Sequence, residues 1–266
     1  MIIGLLHPGS GLGNMLHRYI ATRIKALELG VDFSMINPEG FKGKSFINLD
    51  MGKPNDIEFH IEEGTGKIIP HSTLPLWNEW DKHCYDPDFN FIQDNTIIDG
   101  NFEDERYFGD YLYEIGEWLE TEWLDIPDDV CVIGFRGGEF YTVPELGLPK
   151  EYFAEARVLM LQRNINMKFQ IHTDDPVLAR QFFPEVFPED EIIHDIEINW
   201  RSMRYAKHAI IANSSFYVIP RLLRHWEYAK GGQDFWSTTI SPKYWNRYNT
   251  KKWDYPQSYY KSFKYI

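Results

Sequence analysis

Cysteine is almost missing: the 266-residue chain has two, Cys84 and Cys131, far apart and in no CxxC pairing. That excludes a disulfide framework and a structural zinc site of the usual spacing. Basic residues are also short, with 27 Lys and Arg against 40 Asp and Glu and a formal net charge of -13. A protein that coats nucleic acid or an anionic membrane needs the opposite sign, so any nucleotide bound here is expected to be small. No apolar run approaches the roughly 20 residues of a bilayer span. The opening "MIIGLL" lacks a basic flank and a small-residue cleavage site, so a soluble cytoplasmic protein is expected, with no membrane span and no nucleic-acid partner. Neither HExxH nor a GxSxG elbow occurs, and no repeat or low-complexity tract is present. The literal DxD at Asp86–Asp88 falls in a loop-like region, so no metal site is expected.

What is present is alternation. "MIIGLL" reads as a buried strand, and "NMLHRYIATRIKALELG" as a helix with apolar residues at Met15, Ile20, Ile24 and Leu27, closed by Gly30. The turn between them, "GSGLGN", lacks a Gly-Lys-Ser ending and Rossmann glycine spacing. From Val31 to Thr96 the pattern degrades into short strand-like pieces ("VDFSMI", "SFINL", "DIEFHI") among Gly, Pro and Asn, with tryptophans at Trp77 and Trp80. The stretch 103–124 reads as helical, and "DIPDD" marks a boundary between domains 1–127 and 128–266.

The second half is regular. Strands "VCVIGF", "MKFQIHT", "EIIHD" and "HAIIAN" alternate with helices "PKEYFAEARVLMLQRN", "DPVLARQFFPE", "EINWRSMRYAK" and "SSFYVIPRLLRHW". This is the signature of a parallel sheet covered on both faces, whose ligands sit beyond the carboxyl ends of the strands. The aromatic tail "WDYPQSYYKSFKYI" reads as a packing segment, with packing back on the first domain left open.

Two strand-end loops then carry chemistry. Arg136 in "GFRGGEFY" follows a buried strand among glycines, where a guanidinium can reach two phosphate oxygens in a fixed geometry. A plain salt-bridge partner has the same pattern. Ser214 and Ser215 in "IIANSSFYV" open a helix, offering hydroxyls, free N–H groups and the positive end of a dipole. A simple helix cap reads the same way.

The ordered set of motifs resembles the family 11 glycosyltransferases, the α-1,2-fucosyltransferases. "GSGLGN" is similar to their "GGLGNQ" opening and "IDGNFEDERYF" to "GYFQSEKYF". "GFRGGEFY" stands where they carry HxRRGDY, "IHTDDPVLAR" where they carry FSDD, and "RSMRYAKHAIIANSSF" where they carry LMxxCxHxIIANSSFSWW. The resemblance covers most of the chain. It implies a GT-B-type α/β enzyme: two Rossmann-like domains with parallel sheets facing across a cleft, inverting at the anomeric carbon without a metal or cofactor.

The implied partners are a nucleotide sugar, GDP-fucose in the family, and an oligosaccharide or glycoconjugate acceptor. Arg136 matches the arginine on the donor diphosphate, with Gly138 in the same loop and Ser214, Ser215 and Phe216 in the second. Gly11, Gly13 and Asn14 match the glycine turn, with Asn14 a side-chain donor from the opposite wall. His172, Asp174 and Asp175 fall in the FSDD-like segment, the aspartates as base or ribose contacts or as a helix cap. Glu139 replaces the motif aspartate and is the candidate for taking the acceptor proton, or for holding its loop; His7 and His17 flank the turn.

The departures bear on the donor. Gly134 and Gly137 replace the motif histidine and second arginine, Asn199 stands at a family aspartate, and Val218 and Ile219 replace two tryptophans. Guanine reading is therefore expected to be weaker than diphosphate binding. A transferase for another nucleotide sugar, and a glycan-binding protein without transfer activity, remain alternatives.

Overall fold

The structure, a computed structural model, describes residues 1–79, 85–143, 146–184, 192–232, 237–243 and 260–266. Trp80, Cys84, Glu185, Glu191 and tail residues 253–259, which entered the readings above, lie outside the described residues. The chain divides into two compact units, Met1–Glu120 and Thr121–Ile266. Both are α/β, each built on a sheet whose described strand pairs are all parallel. No helix among the described residues is long and apolar enough to cross a membrane.

In the first unit, strand β1 (Ile2–Leu5) is buried throughout and feeds helix α1 (Leu12–Leu29). The helix stops at Gly30, whose left-handed backbone (φ 66°) lets its N–H return to the carbonyls of Ala26 and Leu27. Within the stretch read as irregular, "VDFSMI" holds β2 (Phe33–Ile36) and "DIEFHI" holds β3 (Phe59–Ile61), which forms an antiparallel hairpin with β4 (Ile68–Pro70); β5 (Leu76–Asn78) follows, and β6 (Thr96–Asp99) starts at its end. The sheet order is β2-β1-β6-β5. These strands are three or four residues long, too short for a hydrophobic period to show. "SFINL" is not a strand: Phe46 and Ile47 both hydrogen-bond back to the Gly43 carbonyl in a turn. Nor is 103–124 one helix. Asp104 caps a 3-10 turn at Glu105–Tyr107, Phe108 leaves helical geometry at φ -148°, and only α2 (Leu112–Trp118) is α-helical.

The second unit follows the predicted alternation more closely: β7 (Val130–Phe135), α3 (Lys150–Arg163), β8 (Lys168–Thr173), α4 (Pro176–Phe182), β9 (Ile192–Ile193), α5 (Ile196–Tyr205), β10 (His208–Ile211) and α6 (Ser215–Lys230). Two strands were not anticipated, β11 (Thr238–Ser241) and β12 (Lys264–Tyr265). The described end of the tail therefore joins this unit's own sheet beside β11, with Tyr260 and Phe263 buried, where the sequence had left packing on the first unit open. The order β12-β11-β10-β7-β8-β9 is, in chain order, the doubly wound arrangement 3-2-1-4-5-6.

Candidate functional site

In that order the chain runs outward from β7 in one direction and from β10 in the other. The loops after these neighbouring strands therefore diverge and leave a crevice at their carboxyl ends. Register places Ile211 beside Gly134, and the Ala212 N–H donates to the Gly134 carbonyl at 2.9 Å, so the Arg136 loop and the N-terminus of α6 share this edge.

Arg136 leaves the end of β7 with its guanidinium paired to the Asp174 carboxylate, and it donates to Glu139 Oε1 at 3.2 Å. Its guanidinium carbon lies 5.3 Å from the Phe140 ring centroid. The β8 loop completes a clamp: Asp174 Oδ1 accepts from the Gly137 N–H at 2.8 Å and Asp175 Oδ2 from the Gly138 N–H at 3.2 Å. Asp175 also caps α4 by accepting from Leu178 N–H at 2.9 Å. Gly138 holds φ +48°, a conformation that favours glycine. Glu139 and Asp174 are exposed, whereas Arg136 is half-buried.

At the second loop Ser214 is the N-cap of α6, makes no side-chain capping bond, and is followed by a first turn without an acidic residue. Asn213 Nδ2 donates to the Leu146 carbonyl at 3.0 Å, while Ser215 and Phe216 are half-buried, Phe216 standing edge-on to Trp200. Tyr217 is the unanticipated member. A Cβ at Gly134 would come within 2.8 Å of its ring, so Tyr217 fills the space beside the position where the resembled motif has histidine. Burial pushes its phenol pKa up and the nearby Asp174 adds to this, partly offset by Arg136.

His172 and Asn199 lie deeper. The surrounding carbonyls assign the Asn199 amide nitrogen toward His172 Nδ1 at 3.0 Å and the Asp195 carbonyl at 3.1 Å, leaving His172 Nε2–H to donate to Gln170 at 3.1 Å. His172 is fully buried, and desolvation lowers its pKa to about 4, so the ring is neutral. These two side chains are bonded to each other rather than presented at the strand-end loops.

The first unit has its own strand-end constellation. The glycine turn meets the hairpin through Gly9 N–H and the Gly66 carbonyl at 3.4 Å, while a Cβ on Gly11 would have nothing within 4 Å. Gly13 is buried and Asn14 half-buried in the opening turn of α1. Beneath them Arg18 donates to the Gly100 carbonyl at 2.7 Å, Ser10 Oγ at 2.6 Å and Asn101 Oδ1 at 3.4 Å. His7 Nδ1 accepts from Ile68 N–H at 2.8 Å, so Nε2 carries the proton and donates to Asp99 at 2.8 Å. Glu79 accepts from Asn101 and Phe102 N–H at 2.7 and 3.2 Å, and burial raises its pKa to about 7. His17 belongs to the core, edge-on to Phe108, with its pKa lowered by desolvation to about 4.

Arg18, Glu79 and Asp99 were missed from sequence. The available signal was Arg18 three residues after Met15 on the apolar face of α1, and Asp99 closing the strand that carries Ile97 and Ile98. Asp86, in the DxD match, accepts from Asp88 N–H as the cap of a 3-10 turn. No cluster of three or more metal-ligating side chains occurs among the described residues.

No protein-family model and no curated protein matches the chain. A search of solved structures finds likeness to NodZ alpha-1,6-fucosyltransferase, in a crystal soaked with GDP-fucose. The TM-score is 0.41 and the identity 12%, over 84% of this chain and 91% of that one.

Proposed function

We propose that the chain is a glycosyltransferase of the GT-B kind that takes its sugar from a nucleoside diphosphate, fucose from GDP-fucose being the donor implied by the resemblance to the family 11 enzymes. The observation that carries this reading is the pairing, at the switch point of a 3-2-1-4-5-6 parallel sheet, of the Arg136 loop with the N-terminus of α6. A planar guanidinium, loop N–H groups and a helix N-terminus with no acidic residue in its first turn suit the oxygens of a diphosphate.

Charge dictates the chemistry. As the glycosidic bond to the donor breaks, negative charge grows on the leaving diphosphate and the sugar ring becomes cationic. Arg136 and the amides around Ser214 and Ser215 stabilise the former without a metal. Attack by an acceptor hydroxyl on the opposite face of the anomeric carbon inverts its configuration, and a base takes the hydroxyl proton. Glu139, 73% exposed beside Arg136, is the carboxylate assigned to this step, its exposure being what supports the assignment.

A second reading, transfer from another nucleotide sugar, is favoured by Tyr217 filling the space at Gly134, where the resembled motif has histidine, and by the burial of Asn199, at the family aspartate, against His172. Thermal-shift and turnover measurements with GDP, UDP, ADP and GDP-fucose, in excess EDTA, test both. A nucleoside diphosphate should raise the melting temperature and sugar-nucleotide turnover should survive EDTA. Failure of all nucleotides to bind would sink the reading, and activity that returns only with manganese or magnesium would sink its metal-independent form.

A further inference from the structure

The Arg136 loop already holds an anion of its own making. Asp174 presents one carboxylate oxygen to the Arg136 guanidinium and the other to the Gly137 N–H at 2.8 Å. A diphosphate approaching this strand end would require the same two donors. Glu139 and Asp174 contact the Arg136 guanidinium and a third carboxylate, Asp175, sits on the Gly138 N–H of the same loop, so an incoming phosphate meets net negative charge while Asp174 stays where it is.

The pair is also poised to open. The Arg136 and Asp174 side chains are 30% and 31% exposed, and ion pairs with that much access to water are weak. The loop does not depend on Asp174 alone, because Asp175 independently ties Gly138 to the cap of α4. Asp174 can therefore swing away while the clamp remains.

We propose that Asp174 is a self-ligand of the donor site, occupying Arg136 and the Gly137 N–H until a diphosphate displaces it and thereby setting the affinity for nucleoside diphosphates. This rests on the donor-site reading given above. The apparent Kd is the intrinsic Kd divided by the fraction of molecules with Arg136 unoccupied, so removing the competing charge strengthens binding without adding a contact.

Titration calorimetry with GDP and with inorganic pyrophosphate, in EDTA, tests it. Asp174→Asn keeps an oxygen for the Gly137 N–H but loses the charge, and should bind both anions about tenfold more tightly than wild type. Asp174→Ser, smaller and also uncharged, should move in the same direction and guards against a defect peculiar to the amide. The gain should vanish when Arg136→Ala is added to Asp174→Asn. Equal affinity in wild type and both variants overturns the self-ligand while leaving the donor-site reading intact. Weaker binding in the variants makes Asp174 a contact of the ligand and overturns it too. If no protein binds either anion, both readings fall together.

Discussion

Each unit carries an arginine near the carboxyl ends of its parallel strands, and the two are in opposite physical situations. The Arg18 side chain is 1% exposed and spends its donors on the Gly100 carbonyl, Ser10 and Asn101, with the Asp99 carboxylate 3.9 Å from Nε. The Arg136 side chain is 30% exposed, and its partners are two solvent-accessible carboxylates, Asp174 and Glu139. A buried guanidinium has already lost its water and must keep every protein acceptor it has. One at the surface exchanges partners at little cost. The comparison separates an arginine that fixes a turn from one that can receive a ligand, although both follow from the same residue type near a strand end.

The largest expected effect breaks or confirms that contrast directly. Arg18→Met leaves Asp99 without its buried cation and should cost the first unit about 3–5 kcal/mol of stability. Arg136→Ala should cost less than about 1 kcal/mol while abolishing nucleoside diphosphate binding, and Arg136→Lys should restore little of it because a point charge lacks the two-pronged contact. Urea unfolding beside calorimetry reads both quantities. Similar midpoints for the two arginine variants would dissolve the distinction.

Acidification should separate the units next. Burial lowers His172 and His225 in the second unit to about 4 and about 3. Their folded pKa values lie below the unfolded value of 6.5, so their contribution is complete above 6.5 and drains away as pH falls toward the folded values. Glu79 in the first unit runs the other way. Raised from 4.5 to about 7, it contributes fully below 4.5 and loses that contribution as pH rises through 7. His17, lowered to about 4, opposes Glu79 within the same unit.

Going from pH 7 to pH 5 should therefore cost the second unit on the order of 2 kcal/mol from His172 alone, while the first unit changes little. Glu79→Gln should make the first unit acid-sensitive as well. Hydrogen exchange followed across this range distinguishes the units, and parallel loss of protection in both would contradict the assignment.

A smaller effect probes the packing beside the donor loop. Gly134→Ala should destabilise the second unit by about 1 kcal/mol, because the new methyl would press on the Tyr217 ring at 2.8 Å. Gly134→His should be worse alone and improved by adding Tyr217→Ser, which clears the space. An additive penalty in the double variant would show that the two positions are not coupled.

Alternation of long elements made the second unit legible: its six-residue strands β7 and β8 and the helices between them carry a periodicity that survives in one dimension. In the first unit's sheet only β1 and, within "VDFSMI", β2 could be read; β5 and β6 could not, because strands of three or four residues among glycines and prolines gain their pairing from neighbours distant in sequence. The 103–124 stretch has a helical composition, but Asp104 and Phe108 found better partners in caps and the core.

The same division runs through the site. Sequence alone determined that Arg136 follows a buried strand among glycines and that Ser214 and Ser215 open a helix, since both depend on local order along the chain. Tertiary structure alone decided that β7 and β10 are neighbours, that Asp174 holds Arg136, that Tyr217 fills the space at Gly134, and that His172 and Asn199 turn toward each other. Those outcomes are competitions among groups far apart in sequence for the same few donors and the same volume, and only the packed chain resolves them.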